Sequence, residues 1–332
     1  MTESLQQSGA ASPVGDRRGL RDQPLCEGCH LRLTRHVAAV HNRAIDAQQP
    51  DHRIGTDLLG YPADAGLLII NADDFGICHA TNAAIIQTLQ AGQVRSTTLM
   101  VPCPWALHAM YFLADHPETA FGVHLTVISE WRKYRWGPVT PRDKVPSLID
   151  QAGYFYKFEQ MPEMLAGVNL DELEMEFRAQ IAVVLGAGLK PTHLDWHCLR
   201  LSGRTDIPDL MLALAREYGL ALRVARRTFI EKVQALGPPT YDTDYLLNPS
   251  DKPAQLAQLL RDLPAGLTEW AVHPGLDCPE FLAIERANKH ERQKDFELLT
   301  SQTAKDIVRE VGLVLLDYRV LQAVWKTRDW RR

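Results

Sequence analysis

Short apolar runs alternate with longer amphipathic stretches along most of this chain. Leu67-Leu68-Ile69-Ile70 is continuous and uncharged, the pattern of a strand buried on both faces. Runs of this kind predict strands at 67–71, 96–101, 120–125, 191–196, 222–225, 269–273 and 313–317. Between them, helical spacing of apolar positions predicts helices over 79–91, 105–115, 171–187, 207–218, 253–262 and 290–310. Such alternation implies a parallel sheet wound with helices, an α/β fold. Seven strands over about 260 residues fit a TIM-barrel-like (β/α) barrel, irregular or seven-stranded, better than a doubly wound sheet.

Two segments break the pattern. Residues 1–60 are rich in Gln, Ser, Asp, Arg and His and keep no sustained period. They are expected to form a poorly ordered N-terminal extension with a short helix near 31–46, leaving 61–332 as the barrel domain. Residues 129–165 hold Trp131, Tyr134, Trp136, Tyr154, Phe155, Tyr156 and Phe158 among several prolines. An aromatic-rich insertion after a strand is placed to cover a site at the C-terminal face of a barrel. The competing reading is a satellite hydrophobic cluster beneath a loop.

Composition narrows the function classes. The chain has 332 residues, 45% of them hydrophobic, enough for a sizeable core. A net charge of −5 offers no strong basic field, so nucleic acid is not an expected partner. No uncharged apolar run reaches the length of a membrane helix, and the polar start Met1-Thr2-Glu3-Ser4-Leu5 lacks a secretory signal. Six cysteines are too sparse for a disulfide scaffold. The expectation is a cytoplasmic protein with reduced thiols and no membrane partner, its assembly open between monomer and homodimer. Cys26-Glu27-Gly28-Cys29-His30 matches the pattern of covalent haem attachment. That pattern is short and no signal peptide precedes it, so an inert tail is preferred to haem or to a loose zinc site with His36 or His41.

Four constellations carry chemistry, each at the end of a predicted strand. Asn71-Ala72-Asp73-Asp74-Phe75-Gly76 places two carboxylates side by side, where they repel unless a cation holds one and leaves the other to take a proton. The alternative is an Asx turn leading into a helix. Gly122-Val123-His124-Leu125 ends another strand. In Thr192-His193-Leu194-Asp195-Trp196-His197, positions 193, 195 and 197 share one face of an extended segment, an unusual polar stripe that suits a first-row divalent ion. One of those three is expected to orient a ligand rather than bind metal. Val272-His273-Pro274-Gly275 turns immediately after its histidine. Arg223, Arg226 and Arg227 either meet an anionic substrate group or, the preferred reading, form a solvated basic edge.

The ordered set resembles the YdjC-like (ChbG/HpnK) carbohydrate deacetylase family over roughly 67–318. The resemblance implies a TIM-type barrel and divalent-metal-dependent removal of acetyl from an N-acetylated sugar, a small-molecule substrate. It implies one divalent ion, Mg²⁺ or Zn²⁺ with Mn²⁺ or Co²⁺ as alternatives, held by Asp74, His124 and His197. It further implies Asp73 as catalytic base and His273 as general acid, with His193 and Asp195 as supporting candidates. Cys198-Leu199-Arg200 stands where many relatives carry more histidines, so the substrate wall is expected to differ there and chitobiose is not assumed. The alternatives are a metal-dependent phosphoesterase on a similar barrel and a sugar-binding homologue without turnover.

Overall fold

The structure is a computed structural model and describes residues 54–201, 203–224, 232–233, 254–285 and 289–327. The 31–46 helix, the Cys26–His30 motif, Arg226 and Arg227 lie outside the described residues.

Seven strands form one parallel sheet: β1 (Gly66–Phe75), β2 (Ser96–Leu99), β3 (Ala120–Leu125), β4 (His193–Trp196), β5 (Ala221–Leu222), β6 (Gly266–Val272) and β7 (Val314–Leu316). Their order is β5-β4-β3-β2-β1-β6, with β7 also paired to β1. The sheet curls into a partial barrel with helices outside, in keeping with the expected irregular barrel. Among the described residues, no pairing joins the edge strands β5 and β6.

β1 organises the core. Leu67, Leu68, Ile69 and Ile70 are almost fully buried, each worth about 1.5–3 kcal/mol of transfer free energy. One edge of β1 is shared by two strands, β7 against Leu67–Ile69 and β2 from Asn71 onward, and its other edge pairs with β6. The strand runs four residues beyond the predicted span 67–71 and so carries Asp73 and Asp74 within it.

The expected helices form, together with Met161–Gly167, Pro279–Ile284 and Tyr318–Thr327, which the apolar spacing did not predict, and several are ended by local chemistry. The helix His79–Ala91 stops at Gly92, whose φ of 87° suits a residue without Cβ. Its first amides, His79 N and Ala80 N, donate to the Glu280 carboxylate from a distant helix instead of to a local cap. The stretch 290–310 is two helices, Lys289–Thr300 and Gln302–Val311, not one. Ser301 divides them, its hydroxyl capping the second by accepting from Ala304 N at 3.1 Å. A helix Ile54–Leu59, inside the segment assigned to the extension, packs on β6 and on the last helix, Tyr318–Thr327.

Candidate metal and catalytic site

Two adjacent residues of a regular strand point to opposite faces. Asp73 and Asp74 escape that rule because β1 is irregular there. Its register against β2 shifts between Ala72 and Phe75, and Asp74 adopts a left-handed φ of 70°. A bulge of this kind re-aims a side chain, so both carboxylates serve one site. The strained conformation at a residue with a Cβ is a feature that clusters at functional sites.

Asp74, His124 and His197 come together from β1, β3 and the end of β4. One ligand atom from each lies within 4.8 Å of the others. Asp74 Oδ1 is 3.1 Å from His197 Nδ1 and 3.6 Å from His124 Nε2, yet it makes no hydrogen bond among the described residues. The far sides of all three ligands are occupied. His124 Nδ1 pairs with Asp195 Oδ1 at 2.7 Å, His197 Nε2 with Glu130 Oε2 at 2.9 Å, and Asp74 Oδ2 accepts from Arg292 Nη2 at 2.6 Å. Two imidazole nitrogens and one carboxylate oxygen converging with their backs held is a donor set that fits a first-row divalent ion.

Charge balance agrees with that fit. Burial works to lower the pKa of His124, but Asp195, with Asp74 and Asp73, outweighs it and raises it to about 9. Burial opposes the upward shift of His197 too, and Cys198, Glu130 and Asp74 overcome it. Asp74 lies well below the usual carboxylate range because Arg292 and His197 outweigh its burial. A protein without a cation at this point carries protons on its histidines instead.

Asp73 is set differently. Its Oδ1 accepts from Asn71 Nδ2 at 2.7 Å, Arg223 Nη2 at 2.8 Å and Thr98 Oγ1 at 3.2 Å, and its Oδ2 from Arg223 Nη1 at 2.7 Å. Burial acts to raise its pKa, but the Arg223 guanidinium holds it well below the carboxylate range. His273 Nε2 stands 3.8 Å from Asp73 Oδ2, with its side chain 35% exposed. The His273 amide donates to Asp295 Oδ2 at 3.0 Å, which fixes the turn that follows β6.

The YdjC-like protein family matches residues 67–310, a stretch containing all four motifs. This chain belongs to that family. A carbohydrate deacetylase of Enterococcus faecalis is 34% identical over 265 residues, covering 76% of this chain and 97% of the relative. A chitooligosaccharide deacetylase of Serratia marcescens is 29% identical, with 77% and 99% covered. A solved structure from E. faecalis V583, described as a cellobiose-phosphate cleavage protein, shares 32% identity with a TM-score of 0.66 over 77% of this chain and 99% of that one.

Within this YdjC-like chain, the two supporting candidates of β4 part company. Asp195 joins the site through His124 and through Arg223, whose Nη1 lies 2.6 Å from its Oδ2. Among the described residues, His193 joins none of the candidate ligand groups. It stacks on Tyr318 with ring centroids 3.5 Å apart, and Gly122 opposite is a glycine because a Cβ there would come 2.6 Å from the imidazole. Burial and Arg223 keep His193 well below its ordinary pKa, hence neutral.

Arg223 is not the solvated basic edge expected of it. It is 2% exposed and joins Asp73 and Asp195 to Glu269 of β6, which also accepts from the Tyr318 hydroxyl at 2.6 Å. The available sequence signal was a charge interrupting an apolar strand, the same signal read in β4. Glu269 interrupts β6 in the same way. Arg292 and Glu130 gave no such signal, since each stands among other charged or polar residues.

The aromatic insertion packs against the site from behind. Trp136 lies edge-on to His197, Trp131 contacts Trp136 and Phe281, and the Tyr134 hydroxyl donates to Ile77 O at 2.8 Å. Trp131 and Trp136 are 4% and 2% exposed, so these rings form a packed wall. The two readings of the insertion merge: it covers the site by being a hydrophobic cluster.

Proposed function

We propose that this chain is a divalent-metal-dependent hydrolase that removes the acetyl group from an N-acetylated sugar. The observation that carries this reading is the open Asp74 Oδ1 facing His124 Nε2 and His197 Nδ1, with Asp73 and His273 beside it. Asp74, His124 and His197 are the residues that hold the ion, and the curated relatives named above act on carbohydrates. A divalent ion so held supplies Lewis-acid activation of water and of the acyl oxygen.

The chain's own groups do the rest. Asp73, kept ionised by Arg223, accepts a proton from the attacking water. Its low basicity means that it holds this proton briefly and gives it up to His273, 3.8 Å away, once that histidine has protonated the amine. His273, the more exposed partner, delivers a proton to the departing amine. Asp195 and Glu130 fix the orientation of the two histidines. Next to His197, Arg200 stacks over Phe158 of the insertion at 4.8 Å, in the Cys198-Leu199-Arg200 segment expected to alter the substrate wall. Chitobiose is therefore not assumed as the substrate.

The test is release of acetate from a panel of N-acetylated sugars by chelator-treated protein, with Mg²⁺, Mn²⁺, Co²⁺ or Zn²⁺ restored one at a time. Acetate dependent on an added ion supports the reading. Release of phosphate from sugar phosphates without acetate moves the chain to the phosphoesterase class. Sugar binding with neither product makes it a binding protein.

A further inference from the structure

The geometry points to Arg292 as a catalytic residue of this site, donating a hydrogen bond to the substrate's acyl oxygen as negative charge develops on it; the inference rests on the deacetylase reading above. Arg292 stands on the helix Lys289–Thr300. Its Nη2 donates to Asp74 Oδ2 at 2.6 Å, but its Nη1 is buried and has no hydrogen-bond partner among the described residues. A buried cationic N–H without an acceptor is unfavourable unless a ligand provides one.

The open Nη1 is half of a pattern. Arg292 and Asp74 form one ion pair, and each partner has one terminal atom in a hydrogen bond and one left open. The open carboxylate oxygen faces the two histidines. The guanidinium nitrogen without a partner would be satisfied by an oxygen that carries negative charge. The planar fork of arginine keeps Nη1 within about 5 Å of Asp74 Oδ2, so an acceptor for it would lie near the same carboxylate.

The side chain is also held firmly. Trp131 and Phe281 lie 5.7 and 5.9 Å from the guanidinium carbon. The stem runs against Gly275 of the His-Pro-Gly turn, where a Cβ would sit 3.1 Å from Arg292 Cβ, and Gly275 N donates to Arg292 O at 3.0 Å. The glycine of that motif is thus the residue that lets the turn carrying His273 close on Arg292. Preorganised, desolvated donors are the kind that stabilise developing charge most strongly.

Amide hydrolysis puts that charge on the acyl oxygen. As the water oxygen bonds to the acyl carbon, the carbonyl π pair moves onto oxygen. It returns when the C–N bond breaks and the amine takes a proton from His273. Arg292 exchanges no proton in either step, since its guanidinium stays charged throughout.

The test compares Arg292→Lys with wild type, both loaded with Zn²⁺ and assayed for zinc content, kcat, KM and acetate affinity by calorimetry. Lysine retains a cation for Asp74 but lacks the second fixed donor. The expected result is unchanged zinc content, KM within about threefold, kcat lower by about 10²-fold, and acetate binding weaker by at least tenfold. Partial recovery of Arg292→Ala by added guanidinium would support the same role, and if that variant does not fold the lysine variant still decides. A lysine variant with near-normal kcat and acetate affinity overturns the inference. Loss of rate in proportion to lost zinc also overturns it, because Arg292 then acts only through Asp74. If the wild-type protein itself releases no acetate, the deacetylase reading fails first and takes this inference with it.

Discussion

The two sides of the barrel are held together by different physics. From β1 through β4, neighbouring strands are joined by backbone ladders, broken only by the register shift between Ala72 and Phe75 of β1, and the candidate ligands hang from that frame. Between β5 and β6 no ladder is present among the described residues, and one buried guanidinium spans the interior to three carboxylates: Asp73, Asp195 and Glu269. The ladder side fixes positions with bonds that every residue type supplies. The open side fixes them with charge, so it depends on the identity of a few side chains. Asp73 stands at the junction, placed by the ladder and anchored across the gap.

That contrast is broken most directly by Arg223→Met. It leaves three buried carboxylates without their common cation, and removing one partner of a buried ion pair typically destabilises by about 3–5 kcal/mol. Denaturant unfolding should show a loss at least this large. A variant within about 1 kcal/mol of wild type would mean that the open side needs no charge to hold it. On the ladder side, His124→Ala or His197→Ala should leave folding largely intact while removing metal and activity together. Asp73→Asn should keep its metal and lose about 10²–10⁴-fold in kcat. Full metal content in both histidine variants, by elemental analysis, would remove them as ligands.

The same contrast explains what was legible beforehand. Every strand overlaps its expected span because the apolar runs are short and bounded, although β5 shares only Leu222 with 222–225, and the four motifs sit at strand ends where parallel folds place sites. His-x-Asp-x-His announced itself because three polar residues share one face of a buried strand. Arg223 and Glu269 carried the same signal singly, and a lone charge in a strand is easily read as an edge. Arg292 was beyond reach. Its helix, Lys289–Thr300, is crowded with charges, and nothing local separates the one facing Asp74 from those facing solvent. The bulge at Asp73–Asp74 was likewise hidden, since it is a property of register against β2 and not of composition.

A smaller effect sharpens the role of the groups behind the ligands. Asp195→Asn and Glu130→Gln should each weaken metal affinity by about 10–100-fold without abolishing binding. Proton linkage gives a second measure. The metal-free protein holds a proton on His124 up to about pH 9, so an ion binding to Nε2 must displace it. Below that pH, apparent affinity should rise with pH and binding should release protons. Calorimetry in buffers of different ionisation enthalpy reads the proton count. An affinity constant from pH 6 to 9 would show that His124 is not displaced.

The smallest effect concerns the chain before the barrel. Residues 1–60 were expected to form a poorly ordered extension, but the helix Ile54–Leu59 packs on the barrel. Thr56 is 1% exposed, its carbonyl accepts from Tyr61 N at 2.9 Å, and the helix lies against β6 and the helix Tyr318–Thr327. β6 carries Glu269 and leads into His273, so this short helix braces the side of the barrel that has no ladder. Two truncations separate the expectations. Removal of 1–53 should leave the melting temperature and acetate release essentially unchanged. Removal of 1–60 should cost about 1–3 kcal/mol, the scale of uncovering one or two buried side chains, with the rate reduced through a looser β6. If the shorter truncation already lowers activity while metal binding survives, residues 1–53 take part in substrate handling. A haem absorption band in the full-length protein, absent after that truncation, would assign the same segment to Cys26 and Cys29 chemistry instead.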